Sequence, residues 1–79
     1  MLKLNCECNA LEEIQGFGGY LHYKDTLNKM KKNIENGFFD IISENQFEII
    51  FICKKCKQIW KLAEPDYPVE GYFLRSKTI

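Results

Sequence analysis

Four cysteines carry the strongest chemical signal in the chain, as two close pairs: Cys6-Glu7-Cys8 near the start and Cys53-Lys54-Lys55-Cys56 in the second half. A Cys-x-x-Cys turn can offer two thiolates to one ion and leave about half of a tetrahedral zinc shell to be filled. In Cys6-x-Cys8 an extended chain points both side chains the same way, because the side-chain period of a strand is two. That suits two ligands on one ion and disfavours a disulfide between neighbours. Cys6, Cys8, Cys53 and Cys56 are therefore expected to hold one structural zinc. Iron also accepts four thiolates, and two disulfides, a redox pair or four unlinked thiols are the other readings of the same residues. A knuckle usually has glycine directly after its second cysteine, so that backbone amides can turn toward sulfur. Here Lys57 takes that place, which points to a less ideal turn or another backbone path.

Catalytic chemistry finds less material. Lysines beside Cys53 and Cys56 would raise the thiolate fraction, but a thioredoxin-like pair opens a helix, whereas apolar strand-like runs stand on both sides of this one. His22 is the single histidine, and nothing in the sequence fixes it near a cysteine. It reads as an ordinary loop or strand residue, and as the reserve ligand if one cysteine lay elsewhere. Glu12 and Glu13 are adjacent and diverge on a helix, and Asp66 sits in a proline loop. The glycines of Gln15-Gly16-Phe17-Gly18-Gly19-Tyr20 lack the spacing of a phosphate-binding loop and read as a turn carrying Phe17 and Tyr20. Neither thiol redox nor hydrolytic activity is expected.

The elements that must position the cysteines are legible in outline. Leu2-Lys3-Leu4 can be a short strand leading to the first pair, and Ala10 to Gln15 a helical turn through Leu11 and Ile14. Asp25 or Thr26 can cap a helix with the body Leu27 to Asn36, whose Leu27, Met30 and Ile34 share a stripe and which Gly37 stops. Phe38 to Ser43 has strand composition and enters a turn at Glu44-Asn45-Gln46. Phe47 to Ile52 is apolar on both faces, as a central strand should be, and runs into Cys53. Ile59 to Leu62 can return antiparallel to it. Glu64 to Pro68 reads as a loop and Gly71 to Arg75 as the last strand.

With 79 residues the chain is expected to form one small domain, residues 1 to 79. A domain of that size buries little surface and gains from a metal. No charged start with an apolar core and no apolar run near the roughly 20 residues needed to span a bilayer is seen, so a soluble, cytoplasmic protein with no membrane partner is expected. A reducing compartment favours metal over disulfides. The formal net charge is zero, unlike that of a general nucleic-acid binder. Charge is nonetheless segregated: Glu35, Asp40, Glu44 and Glu48 lie between Asn33 and Ile52 with no basic residue, and Lys54, Lys55, Lys57 and Lys61 follow with no acidic one. Those lysines, with Trp60 and Tyr72, could meet phosphates and stack on a base, unless Trp60 belongs to the core, as Ile59 and Leu62 beside it suggest.

The run Phe51-x-Cys53-x-x-Cys56-x-x-x-Trp60-x-Leu62, with Pro65-Asp66 and Gly71-Tyr72-Phe73 after it, resembles the C-terminal half of small bacterial zinc-ribbon-like proteins among polymorphic-toxin immunity families. The resemblance covers about residues 47 to 75. It implies a zinc-ribbon-like C-terminal half and a small cytosolic protein that neutralises a cognate toxin by binding it. The acidic block could complement a basic toxin surface. The expectation is an α+β domain, one main helix of about three turns against a zinc-ribbon-like antiparallel sheet of three or four strands. Its expected function is non-catalytic protein binding with structural zinc; the alternative is a nucleic-acid-binding zinc ribbon.

Overall fold

The computed structural model describes residues 11–66 and 70–77. One helix, α1 (Tyr20–Glu35), precedes four strands, β1 (Phe39–Glu44), β2 (Glu48–Cys53), β3 (Ile59–Ala63) and β4 (Tyr72–Ser76). The strands form an antiparallel meander in the order β1-β2-β3-β4. This is the α+β arrangement expected, with four strands. The proposed Leu2 to Leu4 strand lies outside the described residues.

The helix starts earlier than the expected Asp25 or Thr26 cap and is longer than three turns. Its N-cap is Gly19, which has no side chain to bond the first turn. His22 supplies part of what is missing by reaching back, so that the Gly18 N–H donates to its Nδ1 at 3.2 Å, in the manner of the returning half of a capping box. Thr26 does not cap. Its hydroxyl donates to the His22 carbonyl one turn earlier, at 3.3 Å, and its side chain is buried on the core stripe with Tyr23 and Met30. The other end is as expected. Gly37 has φ 82°, its N–H donates to the Ile34 carbonyl at 3.0 Å, and Phe38 N–H donates to that of Asn33 at 2.9 Å. These two bonds make the Schellman motif that ends a helix at a left-handed glycine.

Strand register fixes which residues face α1. Phe39 pairs with Cys53, Phe51 with Trp60 and Ile49 with Leu62, and Leu62 with Phe73. Paired residues share a face, and these join Leu11, Phe17, Tyr23 and Met30 in one core, with Leu27 and Ile34 packed at its margin. β2 lies between β1 and β3, which explains why its sequence is apolar on both faces.

The segment before the helix is not a helical turn. It runs extended along the free side of β4, where Ile14 and Phe73 exchange two backbone hydrogen bonds of 2.8 Å. The Arg75 N–H donates to Glu13 Oε2 at 3.1 Å, and the Phe17 N–H donates to the Glu70 carbonyl at 3.1 Å. This strap seals one edge of the sheet, and buried Leu11 and Phe17 anchor it. Gly71 makes the β3–β4 connection possible: its φ is 75°, and a Cβ there would stand 2.5 Å from the Ala63 carbonyl oxygen.

Candidate functional site

Cys53 ends β2 and Cys56 lies in the turn to β3. The Cys53 carbonyl accepts from Lys57 N–H, and the Cys53 N–H donates to the Gln58 carbonyl, both at 2.9 Å. Lys57 between them has φ 65°, and it is the one non-glycine residue with positive φ among those described. The backbone therefore takes the left-handed step for which a knuckle normally uses glycine, and a lysine bears it. Left-handed backbone costs an L-residue about 1–2 kcal/mol, so the tight turn is held by its surroundings.

Those surroundings brace the turn on both flanks. The Lys54 N–H donates to the Phe38 carbonyl at 3.0 Å, tying the turn to the start of β1. Gln58 Nε2 donates to the Ile59 and Ser76 carbonyls, each at 2.9 Å, tying it to the end of β4. The ion pair of Lys54 with Asp40, 3.6 Å between exposed groups, adds little. Gln58 was not singled out from the sequence. Its role depends on Ser76, to which no local pattern points.

Cys53 is 1% exposed and sits in the core beside Phe39, while Cys56 is half-buried against that core. Cysteines turned inward from a braced turn suit a closed structural metal site better than a catalytic one with an open position. The pair closes a strand and opens a turn, not a helix. Cys6 and Cys8 lie outside the described residues. Among the described residues, no group of three or more His, Cys, Asp or Glu side chains is placed to hold a metal.

The strap bears on how the pairs can meet. It runs antiparallel to β4, with Ile14 opposite Phe73, so its upstream end heads toward Ser76. Ser76 is level with Ile59, which directly follows the cysteine turn. Six positions separate Ile14 from Cys8, and an extended chain of that length reaches roughly 20 Å.

The lysines divide. Lys54, Lys55 and Lys57 are exposed around the turn, while Lys61 is half-buried and, one position from Trp60 in β3, belongs to the opposite face. Trp60 is 0% exposed, stacks on Phe73 at 4.7 Å between ring centroids, and has the Arg75 guanidinium 5.1 Å from its ring centre. It is a core residue and presents no face to a base. Tyr72 is committed too. Its hydroxyl donates to Glu48 Oε2 across the intervening Ala63, which is paired with both residues. This bond, then burial and the Glu48 charge, push the Tyr72 phenol up to about 12. Glu48, set in an otherwise apolar strand, thus has a tyrosine as its partner. Both residues line an open cleft of about 730 Å³ with Phe47, Glu64 and Asp66, at the opposite end of the sheet from the cysteine turn. Nearby, burial first and then Glu64 raise the Tyr23 phenol.

Of the remaining candidates, His22 is spent on the helix start, and Glu13 on the strap. Asp40 and Glu44 are exposed on β1, and Glu35 ends the helix. Of the described residues, no helix is long and apolar enough to cross a membrane. Comparison with known proteins finds no family model, no curated protein and no solved structure that matches this chain.

Proposed function

We propose that the protein is a non-catalytic, zinc-stabilised module that binds another protein, in the manner of immunity proteins that neutralise a cognate bacterial toxin. The observation that carries the reading is where its exposed apolar side chains gather. Of six large apolar residues exposed among those described, Ile41 and Ile42 lie in β1, Phe38 directly precedes it, and Phe47 lies in the turn from β1 to β2. A concentration of this kind marks a protein-binding surface, and Asp40 and Glu44 within it favour a basic partner.

Zinc has a structural role in this reading. In it Cys53 and Cys56 supply two thiolates from the braced turn and Cys6 and Cys8 the other two, since the six positions from Ile14 to Cys8 reach roughly 20 Å when extended. The C-terminal half is then zinc-ribbon-like. Bound zinc draws the thiols into their deprotonated form and contributes its binding free energy to folding.

The test has two parts. Native mass measurement of the purified protein should find one zinc per chain, lost on chelation; no metal, with all four thiols reacting rapidly in the folded state, would remove the zinc. Titration calorimetry with the product of the adjacent gene should show a one-to-one complex. The exposed Lys54, Lys55 and Lys57 support the alternative, a nucleic-acid-binding ribbon, and the burial of Trp60 weighs against it. A salt-sensitive affinity for DNA or RNA that vanishes when those three lysines are made neutral would put that alternative in place of protein binding.

A further inference from the structure

Of the asparagines in the chain, Asn36 alone is followed by glycine, and the pair stands where the helix ends. Asparagine is a thermolabile residue because the next backbone nitrogen can attack its side-chain carbonyl carbon. Glycine in that next place removes the Cβ that would hinder the attack and leaves the backbone free to reach the geometry it needs. Asn36 and Gly37 are both exposed, and a Cβ built on Gly37 would meet nothing within 4 Å. No described neighbour therefore crowds the ring that the attack forms.

The folded helix end holds the reaction back. Asn36 has right-handed backbone with ψ −2°, which turns the Gly37 nitrogen away from the Asn36 Cβ, whereas ring closure brings the two together. The Gly37 N–H donates to the Ile34 carbonyl at 3.0 Å and the Phe38 N–H to that of Asn33 at 2.9 Å, so the attacking nitrogen is engaged and the residue beyond it is pinned. Both bonds must open before Asn36 can rotate. Helix ends fray, and exposed backbone bonds open locally without global unfolding, so the reactive geometry is reached through opening of the cap and not of the domain.

We propose that Asn36 is a site of spontaneous deamidation, gated by the helix cap, and that its isoaspartyl product loosens the hold of the helix end on the cysteine turn. When the cap opens, the Gly37 nitrogen gives up its proton and bonds to Asn36 Cγ, while the Cγ–Nδ2 bond breaks and Nδ2 leaves as ammonia. Water then opens the cyclic imide. Cleavage of the bond from the Gly37 nitrogen to Cγ gives aspartate, and cleavage of its bond to the main-chain carbonyl carbon gives isoaspartate, with no oxidant or cofactor consumed. Either product places a carboxylate at the negative end of the helix dipole. Isoaspartate also lengthens the main chain by one carbon two residues before Phe38, whose N–H closes the cap and whose carbonyl accepts from the Lys54 N–H at 3.0 Å. The change therefore reaches the bond that ties the cysteine turn to the start of β1. The proposal depends on neither the metal nor a partner.

The test incubates the full chain at mildly alkaline pH, folded and in guanidinium chloride, and follows peptide mass maps together with isoaspartate-specific methylation. The product should arise at Asn36 ahead of the other asparagines, and Asn36→Ser should remove it. In the folded chain it should form on the order of thirtyfold more slowly than in the unfolded one, the factor that two backbone hydrogen bonds are worth, and protection of the Gly37 amide from hydrogen exchange should match that factor. Once isoaspartate has formed, exchange at Lys54 should rise while that at Phe51 and Trp60 stays unchanged. Asn36→Asp, which adds the charge without the extra carbon, should raise it less. First reaction at another asparagine, equal rates in the folded and unfolded chain, or a slowing unrelated to the Gly37 protection would overturn the gated site. Unchanged exchange at Lys54 in the isoaspartyl protein would overturn its effect on the cysteine turn.

Discussion

Lys57 gives the sharpest test of how the cysteine turn is held. Its φ of 65° costs a residue with a Cβ about 1–2 kcal/mol relative to right-handed backbone, and its exposed side chain contributes little to offset that. Glycine removes the steric cost but gives back about 0.5–1 kcal/mol through the greater freedom of the unfolded chain. Lys57→Gly should therefore be neutral or stabilising by up to about 1 kcal/mol. Asparagine tolerates left-handed backbone without glycine's entropy, so Lys57→Asn should gain about 1 kcal/mol, a rise of roughly 4–8 °C in Tm for a domain of this size. Lys57→Val should lose at least about 1 kcal/mol, because a β-branched residue at positive φ is a genuine outlier. Calorimetric unfolding of the four proteins, with excess zinc and again with a chelator, gives the order in both states. The reasoning is refuted if asparagine and glycine both lower Tm, or if valine is tolerated as well as lysine.

Tyr72 should show its partner in alkaline titration. With the folded phenol near 12 and the unfolded one near 10, the bond to Glu48 contributes in full below pH 10, and its contribution is lost as pH rises from 10 through 12. Ultraviolet absorbance should find a late-ionising tyrosine that is lost in Tyr72→Phe and returned toward the ordinary value in Glu48→Gln, with the raised Tyr23 phenol unchanged in both; an unchanged titration in Glu48→Gln would show that the carboxylate is not the cause. The glycines separate backbone strain from clash. Gly37 has positive φ but open space around a would-be Cβ, so Gly37→Ala should cost about 1 kcal/mol, whereas the Cβ of Gly71→Ala would also meet the Ala63 carbonyl at 2.5 Å and Pro65 N at 2.8 Å and should cost clearly more in denaturant unfolding.

The parts of the fold that could be read in advance are those specified locally. Phe47 to Ile52 and Ile59 to Leu62 are apolar runs, interrupted only by Glu48 and Lys61 and joined by a short polar turn, which leaves a hairpin as the simplest arrangement. Gly37 and Asn45 act within a few residues of themselves: the Asn45 side chain accepts from the Phe47 and Glu48 N–H groups at 2.8 and 2.9 Å. The helix start was hidden because its cap is a glycine and the compensating bond comes from a histidine three positions later. Thr26 has a capping side chain but spends it on a carbonyl within the helix. The strap could not be read at all, since Leu11 and Ile14 fit a helical turn equally well and only Phe73, distant in sequence, makes the segment extended. Cys53 and Cys56 were legible as a pair on a turn. What braces that turn, Phe38 on one side and Ser76 on the other, becomes visible only when the sheet is assembled.

If the four cysteines hold a metal, the strap would join it to the rest of the molecule, and chelation tests this. Phe17 anchors one end of the strap in the core, and Ile14 clips its middle to β4 with two backbone bonds. If zinc holds Cys6 and Cys8 to the cysteine turn, the strap is fixed at both ends, and its pairing with β4 does not have to meet the full entropy of ordering a loose segment, about 1–2 kcal/mol per residue. The two backbone hydrogen bonds of Ile14, each worth about 1 kcal/mol net, meet only part of that cost, with the bonds of Glu13 and Phe17 and the burial of Leu11 and Phe17 adding to them. Chelation should therefore raise amide exchange at Ile14 and Phe73 by at least about tenfold, and by a larger factor than at Phe51 and Trp60, the neighbouring partners in the centre of the sheet. Equal loss at all four would mean that the metal supports the whole core. Unchanged protection at Ile14 would mean that the strap is held by its own contacts, and that a metal, if present, does not fasten it.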